Sequence, residues 1–123
     1  GQLKEAVSLA EFLDFTASKL SCNHMTYHGD LSRQVKTVAL CGGSGSSYMG
    51  AAKKAGADVY VTGDMRYHDA QAADEMDLCV VDAGHLRTER MIVDALAAFA
   101  RKQGLEVIVF DELKQDYLKH WHK

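Results

Sequence analysis

The 123-residue chain lacks four features that would each have pointed to a class of protein. No apolar run approaches the roughly 20 residues of a membrane span, so no membrane segment is expected. No secretory signal pattern opens the sequence, so nothing argues for export. No Cys-x-x-Cys pair occurs, which argues against a cysteine-based zinc site. The net charge is −3, so there is no basic excess to favour nucleic acid as a partner.

Cysteine is scarce as well, with three residues at Cys22, Cys41 and Cys79. The number is odd, and the last two lie in apolar runs that resemble strands. This indicates buried thiols in a reducing compartment rather than a disulfide framework, and we expect a cytoplasmic protein. Apolar residues make up 47% of the chain, and the length fits one domain, which we predict over residues 1–123.

Short apolar runs alternate with helical patterns along the chain, which predicts an α/β fold. Ser8 and Glu11 form a capping-box pattern before the first helix, whereas the polar residues 1–6 predict a frayed end. The tail from Asp111 has apolar residues at rough helical spacing, compatible with a final helix. We therefore expect a layered sheet of about five strands with helices packed on it. The predicted strands are 24–28, 35–41, 58–62, 78–81 and 105–110, and the helices are 9–20, 47–55, 69–76 and 86–102.

His85 and Glu89 stand four residues apart at the head of the longest predicted helix, directly after an apolar strand. They share a helical face with an apolar stripe made of Ile92, Leu96 and Phe99. Because that stripe should face the core, the helix is predicted to aim a histidine and a carboxylate inward. A divalent metal such as zinc, manganese or iron would compensate Glu89. A salt bridge, or a helix end open to water, is the alternative.

A glycine- and serine-rich turn follows the strand predicted over 35–41 and precedes a short helix. A strand, a glycine-rich turn and a helix start together make a geometry that binds anions. The standard phosphate-binding motifs do not fit, since Tyr48 stands where a dinucleotide fingerprint needs glycine and Ala51 where a Walker A loop needs lysine. A tight β–α connection explains the glycines equally well. The candidate anion-binding residues are Gly42, Gly43, Ser44, Gly45 and Ser46.

Three polar segments each follow a predicted strand directly: residues 42–47, 63–64 and 82–85. In open α/β sheets, functional groups collect just beyond the carboxyl ends of the strands. Asp64 lies in the second of these segments, and His68 follows four residues later. Asp64 taken alone is as readily explained as a turn or helix-capping residue.

The order of these motifs resembles the C-terminal half of the Nif-three-like family, also named GTP cyclohydrolase I type 2. The motifs are the segment 38–45, then 56–64 with Tyr67 and His68, then Asp82-Ala83-Gly84-His85 with Thr88-Glu89. The similarity covers roughly residues 8 to 110, and three linked motifs in order are far more specific than any one of them.

The resemblance implies an α/β protein of two similar halves, cytosolic or mitochondrial, which binds two adjacent divalent metals and assembles into hexameric rings. It makes His85 and Glu89 the metal ligands of this half, through the motif G-H-x-x-[ST]-E. The remaining ligands, a His pair and an Asp, belong to the N-terminal half, and this sequence has no His-His pair. The resemblance thus predicts a C-terminal fragment with an incomplete metal site. Leu86 departs from the aromatic residue or histidine frequent after the motif histidine.

Two functions compete at this point. The first is a metal-dependent hydrolase acting on a nucleotide or a phosphorylated substrate, in which Asp64 orients His85 or acts as a general base. His68 would carry protons, because its pKa range suits that task. The second is a non-enzymatic module that binds metal or another protein.

Overall fold

The computed structural model describes residues 1–110, and the predicted tail helix lies outside them. The elements within them are β1 (Gln2–Ser8), α1 (Leu9–Leu20), β2 (Thr26–His28), β3 (Gln34–Ser44), a 3₁₀ turn (Ser46–Tyr48), α2 (Met49–Lys54), β4 (Val59–Gly63), α3 (Tyr67–Glu75), β5 (Cys79–Asp82) and α4 (His85–Lys102). The five strands form one mixed sheet in the order β1-β3-β4-β5-β2. The central β3, β4 and β5 run parallel, whereas β1 and β2 are antiparallel to their neighbours. The predicted α/β class is confirmed.

Side chains alternate between two cores because the sheet is covered on both faces. Val59, Val61 and Val81 point to one face, where they meet Leu9 and Phe12 of α1. The residues between them on β4 and β5 point to the other face, against α2 and α3. That second core contains Met49, Ala52, Ala57, Tyr60, Ala73, Leu78 and Val80. None of the helices in residues 1–110 is long and apolar enough to cross a membrane.

The first residues form an edge strand, so the prediction of a frayed end over residues 1–6 was wrong. Val7 pairs with Val35, and the terminal amino group of Gly1 donates to the Val38 carbonyl over 2.8 Å. An edge strand is held by backbone hydrogen bonds and tolerates polar side chains, so its composition did not reveal it. The capping box at the end of β1 is confirmed, because Ser8 Oγ accepts the Glu11 N–H and Glu11 Oε2 accepts the Ser8 N–H.

The apolar segment 105–110 is not a strand, contrary to the prediction. Ile108 is 91% exposed and Phe110 is 64% exposed. β-branched composition alone does not make a strand, because it favours one only where the segment packs on a pleated, half-buried surface, and residues 105–110 pair with no strand of this sheet. The strand predicted over 24–28 is likewise shorter, since only Thr26–His28 pair with β5.

Helix α4 exists as predicted, but it turns a different face to the core. Ile92, Leu96 and Phe99 are 55%, 59% and 64% exposed, so the prediction that this stripe is buried was wrong. The helix lies beside β3 and β4, and its buried residue is Ala97, with half-buried residues on the same side. The half-buried residues of that side are Leu86, Arg90, Val93 and Ala100.

Asp69 closes the N-terminus of α3 and should contribute to stability at neutral pH. Its carboxylate accepts the Arg66 backbone N–H over 2.9 Å and the Arg66 Nε–H over 3.1 Å, and this guanidinium chiefly lowers the pKa of Asp69 to about 2. A depressed pKa stabilises the fold above pH 3.8 and stops doing so as pH falls through about 2.

We therefore expect Asp69→Asn to lower the free energy of unfolding at pH 5 by about 1–2 kcal/mol, less than the full shift because Arg66 is exposed. The loss should shrink as pH approaches 2. Urea unfolding across this range measures it, with the exposed Asp14→Asn of α1 as control. If the unfolding free energy of Asp69→Asn stays below that of wild type by a constant amount down to pH 2, the ion-pair explanation is contradicted.

Candidate functional site

His85 is the first residue of α4 and lies between two carboxylates. Its Nε2 is 3.2 Å from Glu89 Oε2, one helical turn later, and its Nδ1 is 2.6 Å from Asp64 Oδ2. Asp64 directly follows β4, and His85 follows β5 after two residues. The structure thus brings together Asp64 and His85, which the strand-end rule singled out, and Glu89, which the helical spacing singled out.

These three side chains lie at an open surface. Their exposed fractions are 47% for His85, 50% for Asp64 and 54% for Glu89. The prediction that the helix aims Glu89 into the core was therefore wrong. The helix is turned about its axis so that the stripe of Ile92, Leu96 and Phe99, which shares a face with Glu89, is exposed. A half-exposed cluster of this kind is accessible to an ion or to a further protein surface.

Asp64 favours the protonated form of His85. The hydrogen bond that His85 Nδ1 donates to the Asp64 carboxylate is the largest cause that raises the pKa of His85 above 6.5, and the charge of Glu89 acts in the same direction. Because a metal binds neutral imidazole, protons should compete with a metal at His85 to a higher pH than at an ordinary histidine. The Asp64 contact also fixes Nδ1 as the protonated nitrogen and leaves Nε2 free to act as a ligand.

The glycine-rich segment lies against the His85–Glu89 pair. Gly42, Gly43 and Ser44 belong to β3 rather than to a loop, which corrects the predicted strand end at residue 41. A methyl group placed on Gly43 would lie 2.4 Å from Glu89 Oε1 and 3.2 Å from His85 Nε2. The backbone of β3 therefore forms the floor beneath both side chains.

Two backbone amides of this segment are already engaged. The Gly43 N–H donates to Thr88 Oγ1 over 2.9 Å, and the Gly45 N–H donates to Thr62 Oγ1 over 3.0 Å. An anion would have to use the remaining amides, and α2 is short, with the six residues Met49–Lys54. Anion binding at residues 42–46 stays a prediction, and the geometry supports the tight β–α connection directly.

His68 lies apart from this cluster. It is an exposed residue of α3, where Nδ1 is 2.9 Å from Gln71 Oε1 and the ring packs edge-on against Tyr67. Within residues 1–110, no hydrogen bond or ion pair connects it to His85 or Glu89. Its proposed role as a proton carrier stays a prediction.

Two residues at the site were not assigned a role from the sequence. Thr88 bonds to Gly43, and the fully buried Thr62 bonds to Gly43 and Gly45 of the glycine-rich segment. The sequence contained a signal for each residue. Thr88 is the [ST] position of the G-H-x-x-[ST]-E pattern, and Thr62 is a hydroxyl residue at the end of an otherwise apolar strand.

The donor set fits part of a metal site. Imidazole nitrogen and carboxylate oxygen suit zinc, iron and manganese, and His85 Nε2 and Glu89 Oε2 face each other. Asp64 bonds the other ring nitrogen and so belongs to the outer layer of such a site. In the part of the chain that the structure describes, no group of three or more His, Cys, Asp or Glu could hold an ion. A complete site therefore needs ligands from elsewhere.

Fold and site together define an α/β protein whose candidate site lies at the carboxyl ends of adjacent parallel strands. The sequence model of the Duf34/NIF3 (NGG1p interacting factor 3) family matches residues 1–116. The chain belongs to this family, as the motif order predicted.

Curated relatives and solved structures agree with this assignment. A "GTP cyclohydrolase 1 type 2 homolog" of Bacillus subtilis is 47% identical over 85 residues, 69% of this chain and 23% of the relative. The protein of that name from Clostridium perfringens is 31% identical over 119 residues, 94% of this chain and 45% of the relative. The crystal structure of a Bacillus cereus protein related to NIF3 has a TM-score of 0.76 at 35% identity, covering 85% of this chain and 30% of that one.

These alignments span less than half the length of each relative. A crystal structure of a Staphylococcus aureus hypothetical protein matches 98% of this chain with a TM-score of 0.83 at 26% identity, yet only 41% of its own length is covered. The described fold is therefore one part of the fold of larger relatives.

Proposed function

We propose that this chain is a divalent-metal-binding part of a NIF3-family protein, with His85 and Glu89 as ligands and Asp64 as the group that orients His85. The observation that carries the proposal is the placement of a carboxylate on each ring nitrogen of His85, at 3.2 Å and 2.6 Å. One carboxylate can share an ion with Nε2, while the other holds the proton on Nδ1. A structural ion pair would not require both.

The activity that we propose for the whole protein is metal-dependent hydrolysis of a nucleotide or phosphorylated substrate, and the names of the relatives support it. Two bound divalent ions, zinc, iron or manganese, would supply Lewis acidity and an activated water there. Asp64 would hold the Nδ1 proton or act as a general base, and His68 would exchange protons with solvent. The segment from Gly42 to Ser46 would contact the anionic part of the substrate.

The remaining ligands would come from the portion of the relatives that this chain does not span. The donor count supports this, because His85 and Glu89 are two ligands and a catalytic zinc commonly has three from protein. We also propose a cytoplasmic protein that assembles into a homo-oligomer, a hexameric ring in the full-length family. As a single chain, this protein should therefore bind metal weakly and have no hydrolase activity.

The ligand assignment is tested by zinc titration calorimetry of the wild-type chain and Glu89→Gln. We expect the substitution to weaken zinc binding at least tenfold, about 1.4 kcal/mol, without changing the thermal unfolding of the metal-free protein. The free energy of unfolding should change little because the Glu89 side chain is 54% exposed. If Glu89→Gln unfolds the protein and leaves zinc uptake unchanged, Glu89 is a structural residue and the assignment fails.

The exposed face of α4 favours a second candidate function, a non-enzymatic interaction module. Ile92, Leu96 and Phe99, together with Ile108 and Phe110, present apolar area that is unusual on an isolated domain. The two functions are separated by assaying a full-length relative, loaded with metal, against nucleotides and phosphoesters. Turnover that a chelator abolishes supports the enzyme, and its absence with an intact oligomer supports the module.

A further inference from the structure

We infer that Thr88 and Gly43 form a clamp that positions Glu89 beside His85, so that both are positioning residues of the metal site rather than ligands. This inference rests on the proposed function. The contact is the hydrogen bond from the Gly43 N–H to Thr88 Oγ1, at 2.9 Å, which joins β3 to the first turn of α4. Thr88 immediately precedes Glu89, so this bond lies one residue from the proposed ligand.

The hydroxyl of Thr88 is held on the helix side as well. Its oxygen lies 2.9 Å from the carbonyls of both Gly84 and His85, and its single hydrogen can be donated to either. The oxygen therefore keeps a lone pair for the Gly43 N–H. One side chain thus connects the start of the helix, the backbone of His85 and the neighbouring strand.

Gly43 is held from its other side by the core. Its carbonyl accepts a hydrogen bond from Thr62 Oγ1 over 3.1 Å, and Thr62 is fully buried in β4. The same hydroxyl oxygen accepts the Gly45 N–H over 3.0 Å. The hydrogen bond from Thr62 therefore fixes the position of Gly43 in the sheet. The hydrogen bond between Gly43 and Thr88 in turn fixes the first turn of α4 relative to β3.

Gly43 is also the surface on which Glu89 rests. Its φ is +66°, a backbone conformation that favours glycine, and a methyl group there would lie 2.4 Å from Glu89 Oε1. Because glycine has no side chain, the backbone of β3 can approach the Glu89 carboxylate directly at this position.

The physical consequence is pre-organisation of a ligand that would otherwise be mobile. Glu89 is 54% exposed, and a glutamate side chain loses considerable rotamer entropy when it is fixed. A site that orders its ligands before the ion arrives avoids that entropy loss at binding. The clamp thus predicts an effect on metal affinity from residues that donate no ligand atom.

The first test compares Thr88→Val with the conservative Thr88→Ser in the full chain. We expect Thr88→Val to speed hydrogen exchange of the Gly43 amide at least tenfold in the metal-free protein and to weaken zinc binding about tenfold. Thr88→Ser keeps the hydroxyl and should retain both properties. Thr16→Val is the matched control, since Thr16 is a buried threonine that donates to the Phe12 carbonyl within α1 and should change neither.

The second test separates contact with Glu89 from backbone strain. Gly43 and Gly56 both have positive φ, +66° and +80°, but a methyl group on Gly56 would meet nothing within 4 Å. Gly43→Ala and Gly56→Ala should therefore both lower the melting temperature through strain. We expect only Gly43→Ala to reduce zinc affinity, about tenfold or more, because its methyl group displaces Glu89.

The outcomes distinguish this inference from the proposed function. A wild-type chain that takes up no zinc would overturn the proposed function, whereas unchanged Gly43 exchange in Thr88→Val would overturn the clamp. Faster exchange with unaltered zinc affinity would also overturn the inference, because the bond would then be structural only. Equal zinc affinities for the Gly43→Ala and Gly56→Ala proteins would do the same.

Discussion

Replacing Leu78 by alanine should lower the free energy of unfolding by about 2–5 kcal/mol, the cost of a cavity in a packed core. Leu78 is 1% exposed and lies in the core between the sheet and helices α2 and α3. Urea denaturation followed by circular dichroism measures the loss. Leu96→Ala is the matched control, because Leu96 on α4 is 59% exposed and its truncation should cost less than about 1 kcal/mol.

The comparison also tests the orientation of α4. A Leu96→Ala loss as large as that of Leu78→Ala would mean that the exposed stripe is covered in solution. Repeating the denaturation at several protein concentrations then shows whether another copy covers it, since the stability of an oligomer depends on concentration. If the two variants lose equal unfolding free energy at every protein concentration, the exposed position of Leu96 on α4 is contradicted.

The parallel centre of the fold could be predicted from the sequence because its signal is local. Val59 to Thr62 and Leu78 to Val81 are continuous apolar runs, which is the pattern of strands covered on both faces. The capping box of Ser8 and Glu11 fixed the start of α1 to the residue. In each case the signal lies within a few neighbouring residues of the sequence, even though the strands themselves pair with strands far along the chain.

The rotation of α4 could not be predicted in the same way. The stripe of Ile92, Leu96 and Phe99 is the more apolar face, yet it is exposed, and Ala97 on another face is the buried residue of α4. Which face is buried depends on how α4 packs beside β3 and β4, which is a property of the tertiary structure. The edge strand β1 was missed for a related reason, since its stability comes from pairing with β3 rather than from its own composition.

The candidate site, like the fold, could be predicted from the sequence only in part. The strand-end rule permitted Asp64 and His85 to be neighbours without requiring it, and the structure places their side chains 2.6 Å apart. The rule did not predict the hydrogen bond between Gly43 and Thr88, because that bond depends on how α4 is positioned along β3. It also suggested His68, which bonds within its own helix instead.

Replacing His85 by alanine should abolish measurable zinc binding by the chain. His85 Nε2 is one of two proposed ligand atoms, and a single carboxylate in an open site holds zinc poorly. Calorimetric titration at pH 8 measures this, because proton competition at the histidine is weaker there than at neutral pH. Tight stoichiometric binding that survives His85→Ala would refute the assignment and direct attention to His120 and His122 of the sequence.

Asp64→Asn is the matched variant for this experiment, because it removes charge while leaving the ligand atoms in place. Asp64 has a φ of +56°, and asparagine tolerates that conformation as well as aspartate does. We expect zinc affinity at pH 8 to fall about 10–100-fold, the usual effect of losing the partner that orients a ligating histidine.

The pH dependence provides the sharper distinction between the two variants. In wild type, Asp64 raises the pKa of His85, so zinc affinity should begin to fall at a pH above 6.5 as the ring becomes protonated. Asp64→Asn should lower that pKa and move the fall in affinity to lower pH, even though the affinity at pH 8 is weaker. The gap between wild type and Asp64→Asn should therefore narrow as the pH decreases from 8 to 6, whereas a gap that stays constant would mean that Asp64 acts only through structure.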